Sequence, residues 1–409
     1  MKTAKLFFLS ILFIQTFVLA SPNCPQNIIL TIIDGGGFNH IDAADYYACG
    51  KKGERPFEKF PVKLAMATYC IGGSYEPTKV TEDFNYAATG YTDSPAAATA
   101  MSTGEKTSRD VIGIDASGNK LEHIIERCEK LGMATGVVTT VQISHSTPAG
   151  FAAHNKSRYN FQQIADEMIN RSGLEVIFGC GNPLFDDDGK KLKKPDFKYI
   201  SRQTWDLLAA GAGGKWTLIQ SRQEFLDFAE GQTPTRVVGL AQAARTLQQA
   251  RTCGELSRTS GNSVLPFDVP LNQNVPTLAE MTKAALNILD DEADGFFVMI
   301  EAGAVDWASH GNDSARMLEE MIDFHKAAKA VIDWIESQKD SWQSTLFIIT
   351  ADHECGYLTG PDKSRFVVNN GKGKLPKMEW HSKEHTNLLV PFYAKGRGSE
   401  LFADCIKGE

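Results

Sequence analysis

The chain has 409 residues, 42% of them hydrophobic, with 42 Lys and Arg against 50 Asp and Glu for a formal net charge of −8. Acidic and basic residues are interspersed, so the basic face that tracks a nucleic-acid backbone is missing and nucleic-acid binding is not expected. Past the first twenty residues, no stretch approaches the ~20 apolar residues that a membrane span needs, so a soluble mature protein is expected.

Residues 1–20 carry two lysines, an apolar run from Leu6 to Leu19 and a small residue, Ala20, before Ser21. That is the pattern of a secretory signal peptide cleaved after Ala20, which implies a secreted or periplasmic protein. Pro22 and Asn23 are poor substitutes for the small residues that lipoprotein processing at Cys24 would want. The eight cysteines all follow Ala20 and suit disulfides in an oxidising compartment. They are widely spaced with no C-x-x-C, which argues against a cysteine zinc site and leaves their pairing open.

Along the chain, apolar runs alternate with helical patterns. Asn27–Ile33 reads as a buried strand stopped by Asp34 and three glycines. Leu121–Leu131 is an amphipathic helix, followed by a strand over Ala134–Val141. Val176–Gly179 and Arg236–Leu240 are shorter strand candidates. Thr277 and Glu280 form a capping box opening a helix to about Leu289. Phe296–Ile300 is a strand, Asp313–Gln338 is helical throughout, and Leu346–Thr350 and Leu389–Tyr393 are further strands. Near-continuous apolar strands between helices imply an α/β fold whose largely parallel central sheet is covered on both faces. The segment from about residue 183 to 274, with its D-D-D-G-K-K run, G-A-G-G turn and polar Gly/Ser stretch, reads as an insert or cap.

In such sheets, functional groups gather at the carboxyl ends of strands. Asp34 ends the first strand, Glu301 follows Phe296–Ile300, and Asp352 and His353 follow Leu346–Thr350. Singly, each acid could be an ordinary cap; together they call for another explanation. Ser94 precedes Pro95 at a helix start, where it could be a plain cap or a nucleophile beside a phosphate-binding helix N-terminus. A serine hydroxyl needs a base or a metal to activate it, and no histidine is near it in sequence. Asp306 and His310, one helical turn apart, can face one ion and suit zinc. Asp34, Thr147 and Glu301 offer only oxygens, which favours magnesium. Arg158, thirteen residues after His145, could clamp two phosphate oxygens or could be a solvated surface arginine. By spacing alone, either His381 or His385 could be the further imidazole.

On these residues the chain resembles the alkaline phosphatase family over nearly all of its mature length: Asp34-Gly35, Asp93-Ser94 through Thr99, Thr147-Pro148 with Arg158, Glu301 to His310, Asp352-His353 and His385, in that order. The resemblance implies a three-layer α/β/α sandwich, a homodimer, and small phosphate monoesters as substrates. It implies Ser94 as the residue phosphorylated in the reaction, Arg158 binding the substrate phosphate and Asp93 orienting it. It further implies one zinc on Asp306, His310 and His385, a second on Asp34, Asp352 and His353, and a magnesium on Asp34, Thr147 and Glu301. With that, His385 rather than His381 is the expected ligand.

The chain departs from the family pattern at three positions. Pro95 follows the serine and removes a backbone donor. His145 stands two before Thr147 where some members carry Asp, and Trp307 follows Asp306 where others carry Lys or His. The third site is therefore expected to be less selective for magnesium, with His145 able to recruit zinc or cobalt. Related chemistries on the same fold fit less well. A sulfatase would need an arginine that Ser94-Pro95-Ala96-Ala97 lacks, a mutase should lack a signal peptide, and diesterase relatives commonly use threonine without the Arg158 clamp. An inactive binding module would not need the full ligand set.

Overall fold

The protein is described by a computed structural model covering residues 24–211, 215–252 and 265–406. The segment up to the expected cleavage point lies outside the described residues, as do most of the G-A-G-G turn and of the polar Gly/Ser stretch. Thirteen strands and eleven α-helices are described. In chain order these are β1 (Asn27–Ile33), α1 (Phe38–Cys49), β2 (Val62–Met66), α2 (Pro77–Glu82), α3 (Ser94–Thr103), α4 (Ile124–Lys130), β3 (Ala134–Gln142), α5 (Ser146–Ala152), α6 (Phe161–Asn170), β4 (Val176–Cys180), α7 (Arg202–Ala209), β5 (Thr217–Ile219), α8 (Arg222–Glu230) and β6 (Val237–Leu240). There follow α9 (Leu278–Leu289), β7 (Phe296–Ala302), α10 (Ala304–His310), α11 (Ser314–Ser337), β8 (Thr345–Thr350), β9 (Glu354–Cys355), β10 (Leu358–Thr359), β11 (Glu379–Trp380), β12 (His385–Thr386) and β13 (Val390–Gly396).

Nine strands form one sheet in the order β2-β13-β8-β1-β7-β3-β4-β6-β5. The pairings from β8 through β5 are parallel, whereas β13 runs antiparallel to both β8 and β2. The expected three-layer sandwich is what the chain adopts. Alternation along β1 shows why: Ile29 and Ile33 point into one core with Met281, Leu286, Phe324 and Ala328 from α9 and α11. Leu30 and Ile32 point into the other with Ala98, Ile125, Phe151, Ile164 and Trp205 from α3 to α7. Each such side chain, removed from water, contributes roughly 1.5–3 kcal/mol. A strand that must satisfy two cores has no room for polar residues, hence the unbroken apolar runs.

Residues 183–274 supply β5 and β6, which extend the sheet at one edge, with α7 and α8 on opposite faces. The capping box at α9 forms as the spacing predicts: Thr277 accepts from Glu280 N–H at 3.2 Å, and Glu280 accepts from Thr277 N–H at 2.9 Å. The Leu121–Leu131 helix is shorter than its pattern and spans Ile124–Lys130. The seven described cysteines are all free, so no disulfide occurs among the described residues; Cys253 lies outside them. No helix among the described residues is long and apolar enough to cross a membrane.

Candidate active site

The parallel strands bring their carboxyl ends together along one edge of the sheet. Asp34 follows β1, Glu301 lies within the end of β7, and Asp352 and His353 follow β8. Because β1 lies between β7 and β8, these three acids are neighbours by construction. The loop after β3 leads into α5, bringing His145 and Thr147 to the same edge. Two short antiparallel ribbons complete the arrangement. In one, His385 of β12 pairs opposite Cys355 of β9, which places His385 beside the loop carrying His353.

Three clusters result, and each would suit a metal ion. Asp34, Asp352 and His353 form the first, fully buried. His353 Nε2 is 3.5 Å from Asp34 Oδ1 and 3.2 Å from Asp352 Oδ2. Asp306, His310 and His385 form the second, with Cys355 beside them. There the Asp306 oxygens are 3.3 Å from His310 Nε2 and 3.5 Å from His385 Nε2. Asp34, His145 and Glu301 form the third, so Asp34 is shared.

The donor set fits cations rather than a proton network. Both oxygens of Asp34, and Asp352 Oδ2, Asp306 Oδ1, Glu301 Oε1 and Thr147 Oγ1, are buried without a hydrogen-bond partner. Orphaned polar atoms at that density are costly unless an ion satisfies them. Burial, then the Asp352 charge, pushes Asp34 well above the usual carboxylate range. Burial, then Asp306, raises Asp352 to about 6, and burial raises Glu301 to about 7. Burial also opposes ionisation of Asp306, but His310 and His385 outweigh it and hold that carboxyl well below its usual range.

Ser94 is the first residue of α3, and the cap is Asp93, whose Oδ1 accepts from Ala96 N–H at 3.2 Å. Asp93 Oδ2 accepts from Asp110 N–H at 2.6 Å. Pro95 therefore sits where a helix has no need of its N–H. Ser94 Oγ lies 3.2 Å from His353 Nε2, although 259 positions separate them. Arg158 Nη2 donates to His145 Nε2 at 3.3 Å, and the His145 ring meets Trp307 edge-on at 5.7 Å. Burial first, and Arg158 second, lower His145 to about 3, so it is a neutral imidazole.

Every residue singled out from the sequence lies at this edge, except that His381 turns away to bond Thr359 Oγ1 at 2.8 Å. Two neighbours were not foreseen. Thr139 donates to Glu301 Oε2, across the β3–β7 pairing. Cys355 is buried against Asp306, whose carbonyl accepts from its thiol at 3.8 Å. Its place two residues after His353 was the only signal for it in the sequence.

A model of the alkaline phosphatase family matches residues 25–407. The chain is 33% identical over 343 residues to alkaline phosphatase 3 of Bacillus subtilis, covering 82% of this chain and 63% of that protein. With alkaline phosphatase 4 of the same organism the share of the relative is 62%, so the chain spans under two thirds of the length of these two. Against the Escherichia coli K12 alkaline phosphatase it is 27% identical over 410 residues, covering 91% of this chain and 81% of the other. Among solved structures it is similar to the alkaline phosphatase of the Antarctic bacterium TAB5, with a TM-score of 0.67, 25% identity, and 92% and 93% of the two chains covered. A TAB5 variant with one histidine changed to glutamate, holding magnesium in its M3 site, superposes with a TM-score of 0.65 at 25% identity and the same coverage. With a family model that spans almost the whole chain, and a relative 33% identical across 82% of it, this chain belongs to the alkaline phosphatase family.

Proposed function

We propose that the protein is an exported phosphate-monoester hydrolase of broad specificity that works through a phosphorylated Ser94 and is favoured at alkaline pH. The observation that carries this reading is the placement of Ser94 Oγ, 3.2 Å from His353 Nε2, at a helix start beside three buried donor clusters. The leader at residues 1–20 supports export to the periplasm or the medium.

In this reading Asp34, Asp352 and His353 hold one zinc, Asp306, His310 and His385 a second, and Asp34, Thr147 and Glu301 a magnesium, with His145 at its edge. Bound there, such cations supply electrostatic stabilisation of the attacking and leaving oxygens of an in-line displacement. The chain's own groups do the rest. Ser94 Oγ gives up its proton and forms the bond to phosphorus while the ester P–O bond breaks and the alkoxide leaves with its electron pair, taking up a proton to become the alcohol. Water then cleaves the Ser94–phosphate bond, releasing inorganic phosphate and returning a proton to Ser94 Oγ. Arg158 offers a planar fork to two phosphate oxygens. Asp93, held by the N–H groups of Ala96 and Asp110, fixes the start of α3 and faces the Arg158 charge. His145 accepts from Arg158 and limits the positions the guanidinium can take. A homodimer is part of the proposal by family resemblance.

The test is hydrolysis of p-nitrophenyl phosphate from neutral to alkaline pH, before and after chelation, for wild type and Ser94→Ala. Activity restored by zinc and magnesium and lost by at least about 10³-fold in the variant is the expected result. Turnover of a diester or a sulfate ester instead of the monoester would overturn it.

A further inference from the structure

Arg109, an exposed residue, stands beside the site. Among the described residues it makes no ion pair; its contact is with Tyr91, whose ring centroid lies 5.1 Å from the guanidinium carbon. Tyr91 in turn meets the His385 ring edge-on at 5.9 Å, and His385 stacks on His353 at 3.5 Å. A ladder of rings thus runs from the exposed guanidinium to the imidazole that faces Ser94 Oγ.

The backbone beside Arg109 is tied to the same machinery. Asp110 adopts a left-handed conformation, φ 65°, uncommon for a residue with a side chain. Its N–H donates to Asp93 Oδ2 at 2.6 Å, and its carbonyl accepts from Arg158 N–H at 2.9 Å. Such a conformation is unfavourable for a residue with a side chain and persists where surrounding bonds over-determine it. The strand of chain carrying Arg109 is therefore fixed by the residues on either side of the phosphate position.

We propose that Arg109 is a specificity-determining residue that receives a second anionic group, a carboxylate or a further phosphate, on the alcohol side of the phosphate ester. This rests on the phosphomonoesterase reading above. In an in-line displacement the leaving oxygen departs on the side opposite Ser94, and Arg109 is joined through Tyr91 to His385 of the Asp306–His310–His385 cluster. A guanidinium is always charged, and its fork matches carboxylate and phosphate. Tyr91 steadies it by a cation–π contact, while among the described residues its side-chain N–H groups meet no acceptor. In a chain of net charge −8, an unpaired cation at the mouth also attracts anionic substrates locally. The preferred substrates are accordingly small bisphosphates and phosphorylated acids rather than esters of neutral alcohols.

The experiment compares kcat/KM for phenyl phosphate, 4-carboxyphenyl phosphate and propane-1,3-diol bisphosphate in the metal-loaded enzyme, as wild type, Arg109→Gln and Arg109→Lys. The expected result is that Arg109→Gln lowers the ratio of either doubly anionic ester to phenyl phosphate about tenfold, through KM. Arg109→Lys should restore part of it, and added salt should erode the wild-type preference. A ratio unchanged in Arg109→Gln, with phenyl phosphate still hydrolysed, overturns the subsite alone. A wild type inactive on all three esters overturns the phosphomonoesterase reading and the subsite with it.

Discussion

His310 Nε2 and His385 Nε2 face each other 3.1 Å apart, and each ring is turned that way by a bond at its other nitrogen. His310 Nδ1 donates to the Lys383 carbonyl, and His385 Nδ1 donates to the Thr92 carbonyl at 2.9 Å. A carbonyl only accepts, so both Nδ1 atoms are protonated and both neutral Nε2 atoms would present lone pairs. Two lone pairs at that distance repel unless a cation lies between them. Without a metal a proton serves: burial works against it, but Asp306 holds His310 up at about 9.

Chelation should accordingly lower the melting temperature, and added zinc should restore it. At free zinc 100 times Kd, the gain is about 2.7 kcal/mol per site. Calorimetry before and after chelation reads this directly, and identical transitions would sink the idea.

His145→Asp should change both metal choice and substrate binding. The substitution replaces a neutral imidazole by a carboxylate in a cluster that already holds Asp34 and Glu301. Hard oxygen donors favour magnesium, so the magnesium requirement should sharpen and support by cobalt should fade. Because Arg158 loses its His145 acceptor and gains a carboxylate, KM should rise as well. Metal titration of activity in the two proteins is the check; superimposable titrations would contradict it.

Gly150→Ala should destabilise the protein although alanine is the better helix former. Helix α5 crosses α3 so closely that a Cβ at Gly150 would stand 2.6 Å from Ala98 Cβ. Ser102 Oγ bridges the same crossing, donating to the Gly150 carbonyl at 2.5 Å. Overpacking of this kind costs typically about 1–3 kcal/mol, and the displaced α3 carries Ser94. Denaturant midpoints and kcat should fall together; a midpoint at or above wild type would refute it.

Glu320 on α11 is fully buried, and burial, followed by the charges of Asp323 and Glu319, raises it to about 8. The group is raised on folding, so the unfolded chain ionises first, near 4.5, and the folded protein retains the proton to about 8. Between those values unfolding releases a proton, and stability falls as pH rises, by at most about 1.4 kcal/mol per pH unit from this group. Glu320→Gln should flatten the decline over that window and be relatively more stable at alkaline pH. Parallel stability–pH curves for the two proteins would rule the assignment out.

Much of the scaffold was legible locally. The apolar runs at β1, β7 and β8, each ended by an acid, follow from strands buried on both faces with chemistry at their carboxyl ends. The α9 capping box and the one-turn spacing of Asp306 and His310 are statements about neighbours in sequence, and they hold in the structure. The ligand types themselves were readable because hard oxygens and imidazoles at strand ends have few structural uses.

Tertiary structure decided everything that depends on which strands become neighbours. No pattern within Val390–Gly396 says that β13 runs antiparallel, or that it lies between β8 and β2. The approach of His353 to Ser94, the Thr139 bond to Glu301 and the Tyr91 bridge from Arg109 to His385 join residues with no local relationship. Periodicity reports which face of an element is buried, not what buries it. The pairing is chosen only when all the layers close around two cores, and that choice set Ser94, Asp34 and Arg158 around one point.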